Sequence, residues 1–68
     1  MKIYINNIRI ENPHGRTVTA EILCQLMEIP TDNAIVSDED MVEIPFGTSF
    51  SIQEKDRFFI VRKRVVGN

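Results

Sequence analysis

Arg57, the basic run Arg62-Lys63-Arg64, and Gly67 are the residues whose types and spacing suggest chemistry, and it is chemistry done at a chain end. The run from Asp56 to Asn68 starts as an apolar strand, Phe58-Phe59-Ile60-Val61, then turns basic and reaches a glycine one residue before Asn68. A glycine carries no side chain, so an extended tail ending in one can thread a narrow enzyme channel. Such a tail suits a protein that is itself a substrate, handled by its end. The alternative is a solvated, frayed terminus of the kind any domain carries.

Other candidate groups are thinner. His14 sits alone in a Pro-His-Gly turn, and a general base needs a nucleophile within reach. Cys24 would be a nucleophile only with its pKa lowered by basic neighbours, and Glu21 and Gln25 do not provide that. Asp38, Glu39, Asp40 and Glu43 superficially resemble a cation site, but no central glycine follows as a calcium loop requires. A solvated acidic turn is the better reading. The sequence holds no phosphate-cradling glycine loop and no set of zinc ligands, so it calls for no catalytic residue, metal or cofactor.

Size and charge narrow the classes further. Sixty-eight residues make one domain, and a chain this short buries only roughly 60% of its unfolded surface. A deep catalytic cleft is hard to house in such a core. A formal charge of −2 and a pI near 5.2 argue against nucleic acid as a partner, which usually meets a broad basic face. One cysteine allows no internal disulfide and weakly favours a reducing compartment. The N-terminal stretch lacks the apolar core of a signal peptide, and no run approaches a membrane span. The expected location is the cytoplasm.

Hydrophobic periods define the elements that would position these groups. Ile3, Ile5, Ile8 and Ile10 alternate with polar neighbours on either side of Asn6-Asn7, which predicts a β-hairpin with four isoleucines on one face and a type I′ turn. Thr19 is placed as an N-cap, with Val18 and Leu23 as a hydrophobic staple and Glu21 in the first turn. With Ile22 at zero and about 100° per residue, Leu26, Leu23 and Met27 make one apolar face. Cys24 falls near 200°, which predicts it at least partly exposed. Pro30 and Thr31-Asp32-Asn33 end the helix. Ala34 to Val36, Met41 to Ile44 and Phe50 to Ile52 read as short strands, Ser37 to Asp40 as an acidic turn, and Arg57 to about Val65 as a long final strand. The pattern is α+β, with one helix packed on one face of a sheet.

This pattern resembles the ubiquitin-like β-grasp, and within it the prokaryotic ubiquitin-like proteins. The resemblance covers nearly the whole chain. It is carried by Lys2-Ile3-Tyr4-Ile5-Asn6-Asn7, Thr17-Val18-Thr19-Ala20-Glu21-Ile22-Leu23 and Asp56-Arg57-Phe58-Phe59, which look like parts of the bacterial multiubiquitin-type domain. It implies a mixed sheet with an N-terminal hairpin, a β-grasp domain over residues 1–65, and a flexible tail over 66–68.

The resemblance also implies a role. A modifier of this kind is adenylated at its terminal carboxylate, passed between cysteines of an activating and a conjugating enzyme, and joined to targets through an isopeptide bond. It further implies a bacterial system that serves antiviral defence. Gly67 falls at the terminal glycine, with Arg62 and Arg64 in the basic stretch. Two departures stand out: Val66 replaces a glycine, and Asn68 extends past Gly67, which implies trimming by a processing peptidase. Phe58 and Ile60 should face the core, leaving Tyr4, Phe59 and Val61 outward beside Arg62 as a recognition patch. Two other readings stay open: a β-grasp module that binds a partner without conjugation, and a sulfur carrier, which Val66 and Asn68 disfavour.

Overall fold

A computed structural model describes residues 1–63; Arg64, Val65, Val66, Gly67 and Asn68 lie outside them. The first strands are β1 (Lys2–Ile5) and β2 (Ile8–Glu11). They form the expected hairpin, with register Lys2↔Glu11, Ile3↔Ile10, Tyr4↔Arg9 and Ile5↔Ile8. Asn6 and Asn7 both take positive φ, 53° and 66°, as a type I′ turn demands. Asparagine enters this left-handed region at less cost than most residues with a Cβ.

After a loop come β3 (Thr17–Val18) and the helix α1 (Ala20–Leu26). Thr19 caps the helix, its hydroxyl oxygen accepting from the Ile22 N–H at 3.2 Å. The far end closes as a Schellman turn: the Ile29 N–H bonds to the Cys24 carbonyl at 2.9 Å and the Glu28 N–H to the Gln25 carbonyl at 3.0 Å. Glu28 occupies the left-handed position at φ 56°, where glycine is the usual residue. The helix therefore stops before Pro30 is reached.

The remaining strands are β4 (Ala34–Asp38), β5 (Phe50–Ser51) and β6 (Arg57–Arg62). The main sheet has order β2-β1-β6-β4, and β3 pairs with β5 in a second, two-stranded sheet. Within the main sheet β1 and β6 run parallel, with Ile5 beside Phe58, while β4 lies antiparallel to β6. The result is a small α+β domain with a mixed four-stranded sheet.

One face of that sheet, the helix and the small sheet enclose the core. Ile3, Ile5, Val18, Ala20, Leu23, Cys24, Val36, Ile52, Phe58 and Ile60 are all buried. Phe50 and Phe58 meet with ring centroids 5.9 Å apart and planes tilted by 57°.

Several sequence expectations need correction. Cys24 is fully buried, not exposed. The buried helix face is Ala20, Leu23 and Cys24, which on the same wheel lie at about 160°, 100° and 200°. The face is thus centred near the small residues, and Ile22 and Leu26 flank it, only partly buried. Ile8 is 52% exposed, because β2 is the sheet edge farthest from β4, beside which the helix lies.

Ser37 and Asp38 belong to β4 rather than to the acidic turn. Met41 to Ile44 forms no ladder, only a bridge between Ser37 and Glu43. Asp38 explains this: one carboxylate oxygen accepts from the N–H groups of Asp40 and Val42 at 2.9 and 3.0 Å. That curls the chain and drives Met41 to φ 64°, which breaks the alternation. Strand β3 has two residues, too few to show a period in the sequence.

Candidate functional site

The outer face of the main sheet is set by the alternation of β6. Phe58 and Ile60 are buried, whereas Phe59 is half-buried and Val61 is exposed. Register places Val61 opposite Ile35 and Phe59 opposite Ser37 on β4, with Tyr4 opposite Arg57 on the other side. Opposed side chains in a sheet lie about 4.5–5.5 Å apart at Cβ, so Phe59, Val61 and Ile35 form a continuous apolar strip.

Tyr4 shares this face, yet its ring is not bare. The Arg57 guanidinium sits 4.4 Å from the ring centroid, a cation–π contact worth about 0.5–1 kcal/mol at an exposed site. Arg57 is held from the other side by a long hydrogen bond, 3.4 Å, from one guanidinium nitrogen to the Asn7 side-chain oxygen. The face therefore has an apolar end at Val61–Ile35 and a cationic end at Tyr4–Arg57. By strand parity Arg62 falls with Phe58 and Ile60, opposite Ala34, so it belongs to the other face. Arg64, Gly67 and Asn68 lie outside the described residues.

Ile35 is the member of this strip that sequence reasoning did not place. Its signal was the middle position of the triplet Ala34-Ile35-Val36, whose outer neighbours are buried while it is half-exposed. Without the β4–β6 register nothing in the triplet says which strand it faces.

The other candidates separate in space. His14 is an exposed turn residue whose backbone N–H donates to the Asn12 side-chain oxygen at 2.9 Å. Asn12 itself is 1% exposed, and its amide nitrogen donates to the Gly15 carbonyl at 2.8 Å. It is a structural brace for the loop. Of the acidic residues, Asp38 and Glu43 join Asp56 on the rim of a groove of about 400 Å³ between the 43–48 loop and the start of β6, around Ile44, Phe50 and Phe58, and Glu39 and Asp40 do not line it. Among the described residues no group of three or more His, Cys, Asp or Glu side chains is arranged to hold a metal ion, and no helix is long and apolar enough to cross a membrane.

Cys24 is disposed for packing rather than attack. Burial pushes its thiol above the ordinary value of 9.0, and the nearby Glu21 carboxylate adds to the rise. The native state therefore keeps the proton longer than the unfolded chain does. Its contribution to stability is fully present below pH 9.0 and is lost as pH rises through the folded pKa, with a slope of at most about 1.4 kcal/mol per pH unit. Chemical denaturation from pH 7 to 10.5 is expected to show this decline, and C24A to flatten it. In the native protein at pH 8 a thiol reagent should modify Cys24 only as fast as the chain opens.

The fold and this face define a small α+β domain that presents a half-apolar sheet surface flanked by arginine. No family model, curated protein or solved structure matches the chain.

Proposed function

We propose that this chain is a ubiquitin-like modifier with a β-grasp fold, processed after Gly67 and joined to target proteins through the carboxylate so released. The observation that carries the reading is the parallel pairing of β1 with β6 inside an otherwise antiparallel sheet of order β2-β1-β6-β4. This arrangement, with one helix on one face, is compatible with a β-grasp. It also makes β6 a central strand that leads directly into Arg62-Lys63-Arg64-Val65-Val66-Gly67. β1 pairs with β6 at Arg57 and Phe58, and β4 pairs with it as far as Arg62, so β4 anchors the end from which the following segment leaves.

In this reading a peptidase hydrolyses the Gly67–Asn68 amide, water supplying the oxygen of the new Gly67 carboxylate and the amine leaving on Asn68. An activating enzyme then joins the carboxylate to AMP from ATP, with release of pyrophosphate, and a cysteine thiol displaces AMP to give a thioester. A conjugating enzyme passes the acyl group to a target amine. The setting is the cytoplasm of a bacterium, in a system that serves defence against viruses.

The test is incubation of the chain ending at Gly67 with ATP and a candidate activating enzyme, read by intact mass. A thioester that a reducing agent reverses is the expected product, and G67A is expected to abolish it. A protein that retains Asn68 and is nevertheless conjugated would sink the reading.

The Val61–Ile35–Phe59 strip favours a second reading, a binding module that docks a partner without conjugation. F59D and V61E test it together. Both positions lie outside the core, so each is expected to change stability by less than about 1.5 kcal/mol. Loss of partner binding with an unchanged melting curve supports recognition by this face. Unfolding of V61E would show instead that the outer face carries the fold.

A further inference from the structure

Strand β2 is an open sheet edge whose hydrogen-bonding parity can be read directly. The Asn12 N–H bonds to the Met1 carbonyl at 2.8 Å, and the Met1 nitrogen donates to the Asn12 carbonyl at 3.4 Å. Met1 and Asn12 are therefore a hydrogen-bonded pair, and so, two residues on each time, are Ile3–Ile10 and Ile5–Ile8. Lys2 and Tyr4 must then point their backbone groups the other way. They do: the Tyr4 N–H reaches the Asp56 carbonyl, and the Lys2 carbonyl accepts from Lys55. By the same alternation the N–H and C=O groups of Arg9 and Glu11 point outward from the sheet edge. Among the described residues they bond to nothing.

The side chains along this edge are equally open. Arg9, Glu11 and Ile8 are exposed, and Ile10 is half-buried. Glu11 holds the Met1 ammonium at 2.6 Å and the Lys2 ammonium at 3.5 Å, and these contacts lower its pKa. Arg9 has no anionic partner among the described residues.

We propose that β2 pairs antiparallel with β2 of a second copy of this chain, in the register that sets Arg9 of each copy opposite Glu11 of the other. Parity allows two-fold registers centred on Arg9, Ile10 or Glu11; one centred on Ile8 would oppose Arg9 to Asn7, which sits in the turn at φ 66° and cannot continue the ladder. The first opposes Arg9 to Arg9, and the last opposes Glu11 to Glu11 and asks Pro13 for an N–H it lacks; like charges directly opposite destabilise a sheet. The register centred on Ile10 makes two Arg9–Glu11 pairs, sets Ile10 against Ile10, and lets the outward backbone groups of both residues bond across the axis. It also partly covers Ile8. The two four-stranded sheets become one of eight strands. A four-residue edge falls short of the roughly 1,200–2,000 Å² of a standard interface, so the dimer is weak, with a dissociation constant on the order of 0.1–1 mM. The pairing stands independently of the modifier reading, because it uses neither the tail nor the outer face.

Sedimentation and amide NMR shifts between about 0.02 and 2 mM test it, with R9E and E11R as variants. Wild-type protein is expected to dimerise, with shifts concentrated at residues 8–11. R9E alone and E11R alone are expected to weaken the dimer about tenfold or more, since each then opposes like charges. Mixed one to one, the two variants are expected to pair again, because every opposed position then carries opposite charge. That rescue also shows that both variants are folded. A monomer at 2 mM, a dimer indifferent to R9E, a mixture that fails to pair, or shifts confined to Ile35, Phe59 and Val61 or to the 38–48 loop would each overturn the proposal.

Discussion

Replacing Leu23 by alanine is expected to lower the unfolding free energy by about 3–5 kcal/mol, the range found for fully buried leucines whose cavity does not collapse. Leu23 is the one large aliphatic of the helix with no exposed surface, and its core companions Ile3, Ile5, Val36 and Ile52 are equally closed. The strands on the far side of the cavity are tied into a hydrogen-bonded sheet, so they cannot move in to fill it. A domain of this length holds only about 3–10 kcal/mol in all. L23A should therefore sit close to its midpoint of unfolding at room temperature, with loss of helical circular dichroism and of near-ultraviolet signal together. L26A is the control: Leu26 is only partly buried, so its truncation should cost less than half as much. Equal costs for the two would mean that the helix is centred on its large residues after all.

That contrast marks what the sequence could and could not show. Thr19, Val18 and the Asn6-Asn7 turn were legible because caps, staples and tight turns are decided within four or five residues. The two-state alternation of Phe58, Phe59, Ile60 and Val61 was legible too, since only one parity puts both Phe58 and Ile60 with Ile3 and Ile5. Cys24 was misjudged because a helical wheel gives spacing but not the direction of the core. The helix turns Ala20 and Cys24 inward together with Leu23. Met41 to Ile44 failed for another reason: the competing hydrogen bonds from Asp38 are local, but their strength against a strand ladder depends on whether a partner edge is available.

For the candidate site, Tyr4, Phe59 and Val61 were found on one face by parity alone, while Ile35 and the Arg57 cap over Tyr4 needed the register. Glu21 adds a further long-range feature. Beyond its place in the first helical turn, it accepts from the Gly47 N–H at 2.9 Å, tying the 43–48 loop to the helix. No pattern in the chain announces that contact across 26 residues.

Asn6→Ala is expected to cost about 3–4 kcal/mol although Asn6 is a turn residue and only partly buried. β1 ends at Ile5, and its last ladder bond to β6 is the Asn6 N–H to the Phe58 carbonyl at 3.0 Å. There the chain turns away at φ 53°, and the backbone of Ile60, itself 5% exposed, loses its strand partner. The Asn6 carboxamide takes that place. Its oxygen accepts from the Ile60 N–H at 2.8 Å, and its nitrogen donates to the Ile60 carbonyl at 3.1 Å. A side-chain amide thus stands in for one peptide unit of β1.

Alanine removes both bonds, leaves a donor and an acceptor unsatisfied at about 1–3 kcal/mol each when fully desolvated, and strains the left-handed backbone by about 1 kcal/mol more. Asn6→Gly relieves the strain and keeps the loss of bonds, so it should fall between alanine and wild type. Asn6→Asp keeps an acceptor for the Ile60 N–H but sets a carboxylate against the Ile60 carbonyl, and should be destabilised more at pH 7 than at pH 3. Asn7→Gly, at an exposed turn position, should be nearly neutral. Hydrogen exchange at the Ile60 amide separates this account from a simple turn effect. All three Asn6 variants should lose protection there beyond the global loss, except that Asp retains part of it. If Ile60 in Asn6→Ala exchanges no faster than Phe58, the carboxamide is not the partner that holds β6, and the order of the strand beyond Phe58 must come from β4 alone.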